Sequence, residues 1–250
     1  MRRYWLSADS VQGELVEITG DELHHIRDVC RMTVGSKFEV ILDGGKALLV
    51  EVIEEQKKVS IARIIETRSI PALPEPHIHL AVSIPRLPVF EAVLEKAVEL
   101  GTHSIHPFFS DFSYIRKQED VLKKKRERWH KIVQSATQQS GRGELMSISE
   151  AQSLETLLKS FNQSGSSVGL FAYEGEGQLV ASQAVQQLRA KNPRQVWLFV
   201  GSEGGFSDKE VQLFQSFGLP PVTLGQQVLR VETACVALVS VIKYGFDQMK

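Results

Sequence analysis

The texture of the chain changes abruptly at "RSIPALPEPH", residues 68–77, where three prolines fall within ten residues. Proline has no N–H to give to a sheet ladder, so the stretch reads as a linker between two domains, 1–70 and 71–250. On its amino side lie short β-type runs: "GELVEIT" (13–19), "KFEVIL" (37–42), "ALLVEVIE" (47–54) and "KVSIARIIE" (58–66). Turn signals separate them at Gly20-Asp21, Gly35-Ser36 and Asp43-Gly44-Gly45. One helical piece interrupts at 21–32, with Asp21 as its expected cap and Leu23, Ile26, Val29 and Cys30 as its expected buried stripe. The pattern predicts a small β-barrel with one helix. On the carboxyl side, strand patterns at 77–84, 104–109, 145–148, 167–174, 195–201 and 220–225 alternate with helical patterns at 88–101, 119–140, 152–161, 178–190, 207–217 and 230–247. The runs "SVGLFAYE" and "QVWLFVG" are continuously apolar, as suits strands covered on both faces. Such alternation predicts an α/β fold with an open, mostly parallel sheet and helices on both sides.

Bulk properties narrow the function classes. The 250 residues carry a formal net charge of −1, which disfavours nonspecific nucleic-acid binding. Positive charge is concentrated at 116–131, where eight Lys/Arg face three Asp/Glu. That run is either a solvated helix face or a phosphate-facing patch. No apolar run approaches the ~20 residues of a membrane span. "MRRYWLSADS" lacks the apolar stretch of a signal peptide. The two cysteines, Cys30 and Cys235, are far apart and form no CxxC pair, so neither zinc nor redox chemistry is expected. A cytoplasmic protein with no membrane partner follows. His24 and His25 do not suggest a metal site, because adjacent helical side chains point ~100° apart.

Two turns stand out. "VWLFVGSEGGFSDKE" (196–210) runs from an apolar strand into a glycine-rich turn with one carboxylate. Ser207 and Glu210 then form the pattern of a capping box. "LGQQVLRVETA" (224–234) ends another strand and opens a nearly all-apolar helix on an Arg and a Glu. In open α/β sheets, ligands bind beyond the carboxyl ends of the strands, where both turns fall. Neither a P-loop nor the GxGxxG dinucleotide fingerprint is present, which disfavours a nicotinamide oxidoreductase.

"GSEGGFSDKE" and "LGQQVLRVETA" closely resemble the paired signatures of the SPOUT-class RNA methyltransferases of the RsmE type. The resemblance extends along the chain through "MRRYWL", "HHIRDVCRMTVGSKFEV", "EKAVELG", "KKKRERWHKI" and "QQSGR". It implies a SPOUT-type parallel sheet with a C-terminal trefoil knot, preceded by a PUA-like β-barrel that binds RNA. It also implies a homodimer paired through the final helix. The activity implied is transfer of a methyl group from S-adenosyl-L-methionine (AdoMet) to N3 of a uridine in small-subunit ribosomal RNA. Transferred residue by residue, the cofactor pocket comprises Ala172, Gly201, Glu203, Gly204, Gly205, Leu224, Gly225, Leu229 and Ala234. Arg230 and Glu232 become the catalytic candidates. Arg230 would stabilise charge on the deprotonated uracil or grip a phosphate. Glu232 would act as base or simply complement the helix N-terminus. Arg2, Arg3, His25, Arg31, Arg116, Lys117 and Arg142 are the RNA-contact candidates.

The chain also departs from the family pattern. "PRLPV" (85–89) stands where Lys-Gly-Asp-Arg is common, Phe112 where Arg is frequent, Ser202 where Pro is usual, and Gln226-Gln227 where Pro-Arg is usual. Glu95 and Gln138 replace Gln and Glu. The AdoMet positions are kept while several polar ones change, so a drifted RNA target, or a non-catalytic RNA-binding assembly factor, is the alternative reading.

Overall fold

The computed structural model describes residues 1–115, 119–162, 166–176 and 178–249, with backbone only at 119–123 and 162. The chain forms two compact units: residues 1–72 with 134–145, and residues 73–133 with 146–250.

In the first unit, β1 (Arg3–Trp5), β2 (Val11–Gln12), β3 (Leu15–Ile18), β4 (Lys37–Leu42), β5 (Lys46–Glu55) and β6 (Ser60–Ser69) form one sheet in the order β1-β4-β5-β6-β3-β2. Only the β1–β4 pair is parallel. Alternating residues Phe38, Val40, Leu48, Val50 and Val52 turn inward onto one core with Val16, Ile18 and Ile26. Bulges between Leu49/Val50 and Val52/Glu54 shift the register of the two longest strands, and bulges bend the strand that carries them.

The helix of this unit differs from its sequence pattern. α1 (Gly20–His24) begins after Thr19, so Asp21 lies in the first turn instead of capping it. The chain then widens into a π-turn, His25–Val29, closed by Cys30 N–H donating to His25 O at 2.9 Å. The wider turn breaks the 3.6-residue period. Leu23 and Ile26 stay buried, but Val29 is rotated out to 59% exposure and Cys30 is half-buried.

The segment 134–145 belongs to this unit through specific contacts. Gln134 donates to Glu22 at 3.2 Å, and the Arg3 guanidinium donates to Gln139 O at 3.4 Å. Gly143 lies so close to Gly45 and Ile70 that a Cβ there would stand 2.7 Å from Gly45 Cα. A single division at 70/71 has no place for this returning segment.

The second unit is a fully parallel eight-stranded sheet. Its strands are β7 (His77–Ser83), β8 (Ser104–Phe109), β9 (Ser147–Ile148), β10 (Gln152–Ser153), β11 (Ser167–Ala172), β12 (Leu179–Val180), β13 (Gln195–Val200) and β14 (Pro221–Thr223). Their order is β10-β8-β7-β13-β11-β14-β12, with β9 also on β8. The helices are α2 (Leu87–Glu99), α3 (Glu119–Ser140, of which 119–133 belong to this unit), α4 (Leu154–Asn162), α5 (Ala181–Arg189), α6 (Asp208–Ser216) and α7 (Val231–Gly245).

Both faces of the central strands are buried, as their unbroken apolar runs require. One face packs Phe108, Phe171 and Phe199 against Phe161 of α4 and Phe214 of α6. The other face carries Leu80, Val82, Leu198 and Val200 beneath α7, which packs on α2 and α5. A fully buried Phe is worth roughly 1.5–3 kcal/mol, so this aromatic layer is a main anchor of the sheet. Among the described residues, no helix is long and apolar enough to cross a membrane.

Candidate active site

The three loops that leave β11, β13 and β14 meet the first turn of α7 around a cavity of about 660 Å³. That volume lies within the range of cofactor pockets. Ala172, Gly201, Glu203, Gly204, Gly205, Leu224, Gly225, Leu229 and Ala234 all line it, as do Arg230 and Glu232.

The β13 loop is shaped by its glycines. Gly205 N–H donates to Ser202 O at 2.9 Å, which closes a tight turn, and Gly205 adopts φ +69°. A Cβ on Gly201 would stand 3.0 Å from the Gly205 backbone, so the turn folds this tightly only without one. The loop feeds α6 through a complete capping box. Ser207 Oγ accepts from Glu210 N–H, and Glu210 Oε2 accepts from Ser207 N–H at 2.9 Å. The other oxygen of the buried Glu210 accepts from Asp111 N–H at 3.0 Å. One carboxylate therefore ties the loop after β8 to the cavity loop.

Glu203, exposed at the turn, accepts from Arg86 N–H at 3.2 Å. Arg86 is the N-cap residue of α2 and lines the cavity. In the β14 loop, Thr223 Oγ1 accepts from Gly225 N–H at 3.2 Å and donates to Gly225 O at 2.9 Å. Arg230 is the N-cap residue of α7, exposed, with no side-chain cap bond; its carbonyl accepts from Ala234 N–H at 2.8 Å. No ion pair holds its guanidinium among the described residues. Glu232 is half-buried in the first turn of α7, where a carboxylate is favoured by the helix dipole.

The apolar side of α7 is buried within its own unit. Val231, Ala234, Cys235, Leu238, Val239 and Ile242 face the sheet and its neighbouring helices. Subunit pairing is not needed to explain that side.

The RNA-contact candidates divide. Arg2, His25 and Arg31 are exposed in the first unit; His25 meets Tyr4 edge-on at 5.7 Å, and Arg31 sits at φ 54°. Arg3 is engaged internally, donating from Nε to the buried carboxylate of Glu39 at 2.9 Å. Arg142 is buried at 9% exposure, and desolvation lowers its guanidinium to a pKa of about 10, so it is not a surface contact. Arg116 and Lys117 lie outside the described residues. Sequence reading missed Arg86, Val89, Tyr173, Glu174 and Val228 as cavity-lining residues. Tyr173 and Glu174 follow Ala172 directly and were reachable from it. Arg86 is remote in sequence, and its signal is that it is the one arginine of "PRLPV", the departing stretch before a helix. No group of His, Cys, Asp or Glu suited to a metal occurs among the described residues.

Comparison with known proteins agrees with this geometry. A family model described as an RNA methyltransferase domain matches residues 72–243, and one described as an RNA methyltransferase PUA domain matches 18–65. The ribosomal RNA small subunit methyltransferase E of Bacillus subtilis is 32% identical, with 100% of this chain and 99% of that protein aligned. The enzyme of the same name from Aquifex aeolicus is 29% identical over 92% of this chain and 95% of its own. The crystal structure of ribosomal RNA small subunit methyltransferase E from Neisseria gonorrhoeae bound to S-adenosyl methionine superposes with a TM-score of 0.82 at 25% identity, covering 98% of this chain and 97% of that one. With the family model spanning most of the chain and a full-length relative at this identity, the chain belongs to the ribosomal RNA small subunit methyltransferase E family of RNA methyltransferases.

Proposed function

We propose that this chain methylates N3 of a uridine in small-subunit ribosomal RNA with AdoMet as donor. The observation that carries the reading is the convergence of three strand-end loops and the α7 N-terminus on one glycine-lined cavity. The site fits the cofactor: Gly201 and Gly205 let the backbone close around a ligand, and Ala172, Leu224, Leu229 and Ala234 give it apolar walls. When bound, AdoMet supplies an electrophilic methyl group on a sulfonium.

The chain's own residues have three tasks. Glu203, tied to the Arg86 backbone, fixes the β13 loop and so the position of the donor. Arg230, whose guanidinium has no ion pair among the described residues, offers its charge to the negative charge that spreads over the uracil carbonyl oxygens when N3 loses its proton. Glu232 lines the same cavity and receives that proton. The methyl group forms its new bond to N3 while the sulfur keeps the electron pair of the broken bond. Holding donor and acceptor in line supplies the rest of the acceleration.

Three further features belong to the same reading. The chain is threaded as a trefoil knot, which the meeting of the loops at 172, 201 and 224 with the last helix supports. Residues 1–70 act as a PUA-like RNA-binding domain attached to a methyltransferase domain, and the exposed Arg2, His25 and Arg31 supply its contacts. The outer side of α7, with Thr233, Ala237, Ser240 and the 78% exposed Tyr244 at helical spacing, pairs two copies as a homodimer.

The test is complementation. The protein is expressed in a bacterial strain deleted for its own enzyme of this family, and N3-methyluridine in small-subunit RNA is measured by mass spectrometry. Restoration is the expected result. AdoMet binding in vitro without restoration would show that the substitutions at Phe112, Ser202, Gln226 and Gln227 accompany a different RNA target.

A further inference from the structure

The loop that follows β8 presents two exposed aromatics, Phe112 at 45% and Tyr114 at 63% exposure, from an unusually well-fixed backbone. Beneath it lies a buried hydroxyl cluster. Ser83 Oγ meets Ser110 Oγ at 2.6 Å and Ser113 Oγ at 3.0 Å, and Ser113 Oγ accepts from Ser110 N–H at 2.7 Å. Tyr114 N–H donates to Ile84 O at 2.9 Å. On the other side the loop is stitched to the cavity loop at three points. Ser202 Oγ donates to Phe112 O at 2.6 Å, Asp111 N–H donates to Glu210, and Ser207 Oγ donates to Asp111 Oδ2 at 2.6 Å. The Phe112 side chain itself lies against Gly204, where a Cβ would stand 2.8 Å from Phe112 Cβ. Gly204 lines the cavity; Phe112 stands just outside it, at the rim.

A buried polar network that fixes the backbone of an exposed ring is not explained by folding alone. A ring left 45% exposed gains only part of what full burial would give it, while its fixed backbone lowers the ordering cost of binding something. The neighbourhood says what is bound. The exposed Arg86 and Arg230 line the same cavity together with Glu174, Glu203 and Glu232, so its charge is mixed and the two arginines are the positions that suit a phosphate. A flat apolar face beside cations suits single-stranded nucleic acid, in which bases stack on aromatic side chains while phosphates meet arginines.

We propose that the Phe112 ring is a stacking platform for a nucleobase of the RNA substrate at the rim of the methyl-transfer cavity, fixed there by Ser202, Glu210 and the Ser83–Ser110–Ser113 cluster. The proposal rests on the RNA-methylation reading for the identity of the substrate. It reverses the sense of the Phe112 departure: in place of a planar cation, the chain has gained a platform. Ser202, a second departure, is the residue that bonds to its backbone.

The test uses the full-length protein and its Phe112→Ala, Phe112→Leu, Phe112→Trp and Phe112→Arg variants. Two readouts are taken. One is the anisotropy of a short fluorescein-labelled, uridine-rich single-stranded RNA. The other is KM and kcat on small-subunit particles from a strain lacking N3-methyluridine. Base–aromatic stacking weakens on truncation by roughly 1–3 kcal/mol, so Ala and Leu should weaken RNA binding about 5- to 150-fold. KM should rise in step while kcat stays close to wild type, as for an interaction made equally in ground and transition states. AdoMet affinity and Tm should be unchanged, and Trp should restore binding where Leu does not. Leu behaving as wild type would overturn the proposal, because the ring would then be unused. Arg outperforming Trp would overturn it in favour of a phosphate contact. Loss of dimer in sedimentation with Ala would assign the ring to a protein contact instead. If the wild type methylates no particle while ring-dependent RNA binding persists, the methylation reading fails and the platform stands.

Discussion

Arg230 caps α7 by position only; its side chain gives no cap bond and is left to the cavity. Donors aimed at developing negative charge are worth about 10²–10³ in kcat. Arg230→Ala should therefore lower kcat by about that factor while AdoMet affinity, measured by calorimetry, changes little. Equal loss of AdoMet binding would make Arg230 a cofactor-holding residue. Its place on the cavity was legible in the sequence because its motif is local: strand end, glycine, and helix start fall within one short stretch. Arg86 was not, because a contact between the start of α2 and the turn at Glu203 is made only when β7 and β13 lie side by side. Arg3 shows the opposite failure. An N-terminal arginine read as an RNA contact is instead committed to the buried Glu39, which Arg68 also holds at 2.6 Å, and only pairing of β1 with β4 reveals that.

At the level of elements, β7 and β8 carry a histidine cluster at the end of the sheet away from the cavity. His77 stacks on His103 at 4.4 Å, and His79 lies between His103, His106 and Trp197. Ser104 Oγ bridges His79 Nδ1 at 2.6 Å and His106 Nε2 at 2.7 Å. Burial, reinforced by the neighbouring imidazoles, lowers His79 from 6.5 to about 3, and burial with His103 lowers His106 to about 4. A depressed folded-state pKa means that the unfolded chain binds the proton more readily. The stability contributed is complete above the unfolded value and is lost as pH falls below it. Between pH 6.5 and 5 the loss is on the order of 2 kcal/mol for His79 alone. Tm should fall over that interval, and His79→Phe should flatten the fall; an unchanged pH dependence in that variant would assign the acid limb to other groups. The strands were visible from their apolar runs, but the cluster was not, since strand periodicity says nothing about which strand lies beside which. The π-turn at His25–Val29 escaped for a related reason: a helical stripe read at 3.6 residues cannot register one widened turn.

At the scale of the whole molecule, the proline-rich break marked the change from a mostly antiparallel to a parallel sheet, since proline's chemistry is local. It did not show that residues 134–145 return to the first unit, because a segment's destination depends on contacts distant in sequence. That return has a consequence for synthesis. The ribosome releases residues 1–72 before 134–145, so the contacts that Glu22, Arg3, Gly45 and Ile70 make with the returning segment form only after Gln134–Leu145 have emerged. By then all of α2, β7 and β8 are already outside the tunnel. The first unit cannot be completed before the second has begun, and the two must mature together. A fragment ending at Ala72 should accordingly be poorly protected against limited proteolysis, and a peptide spanning 134–145 supplied in trans should raise its protection. Full protection of the bare fragment would show that the returning segment is dispensable. A chain that closes its first unit with its own middle cannot lose that unit whole by truncation from the amino-terminal end, because 134–145 would stay behind with the rest.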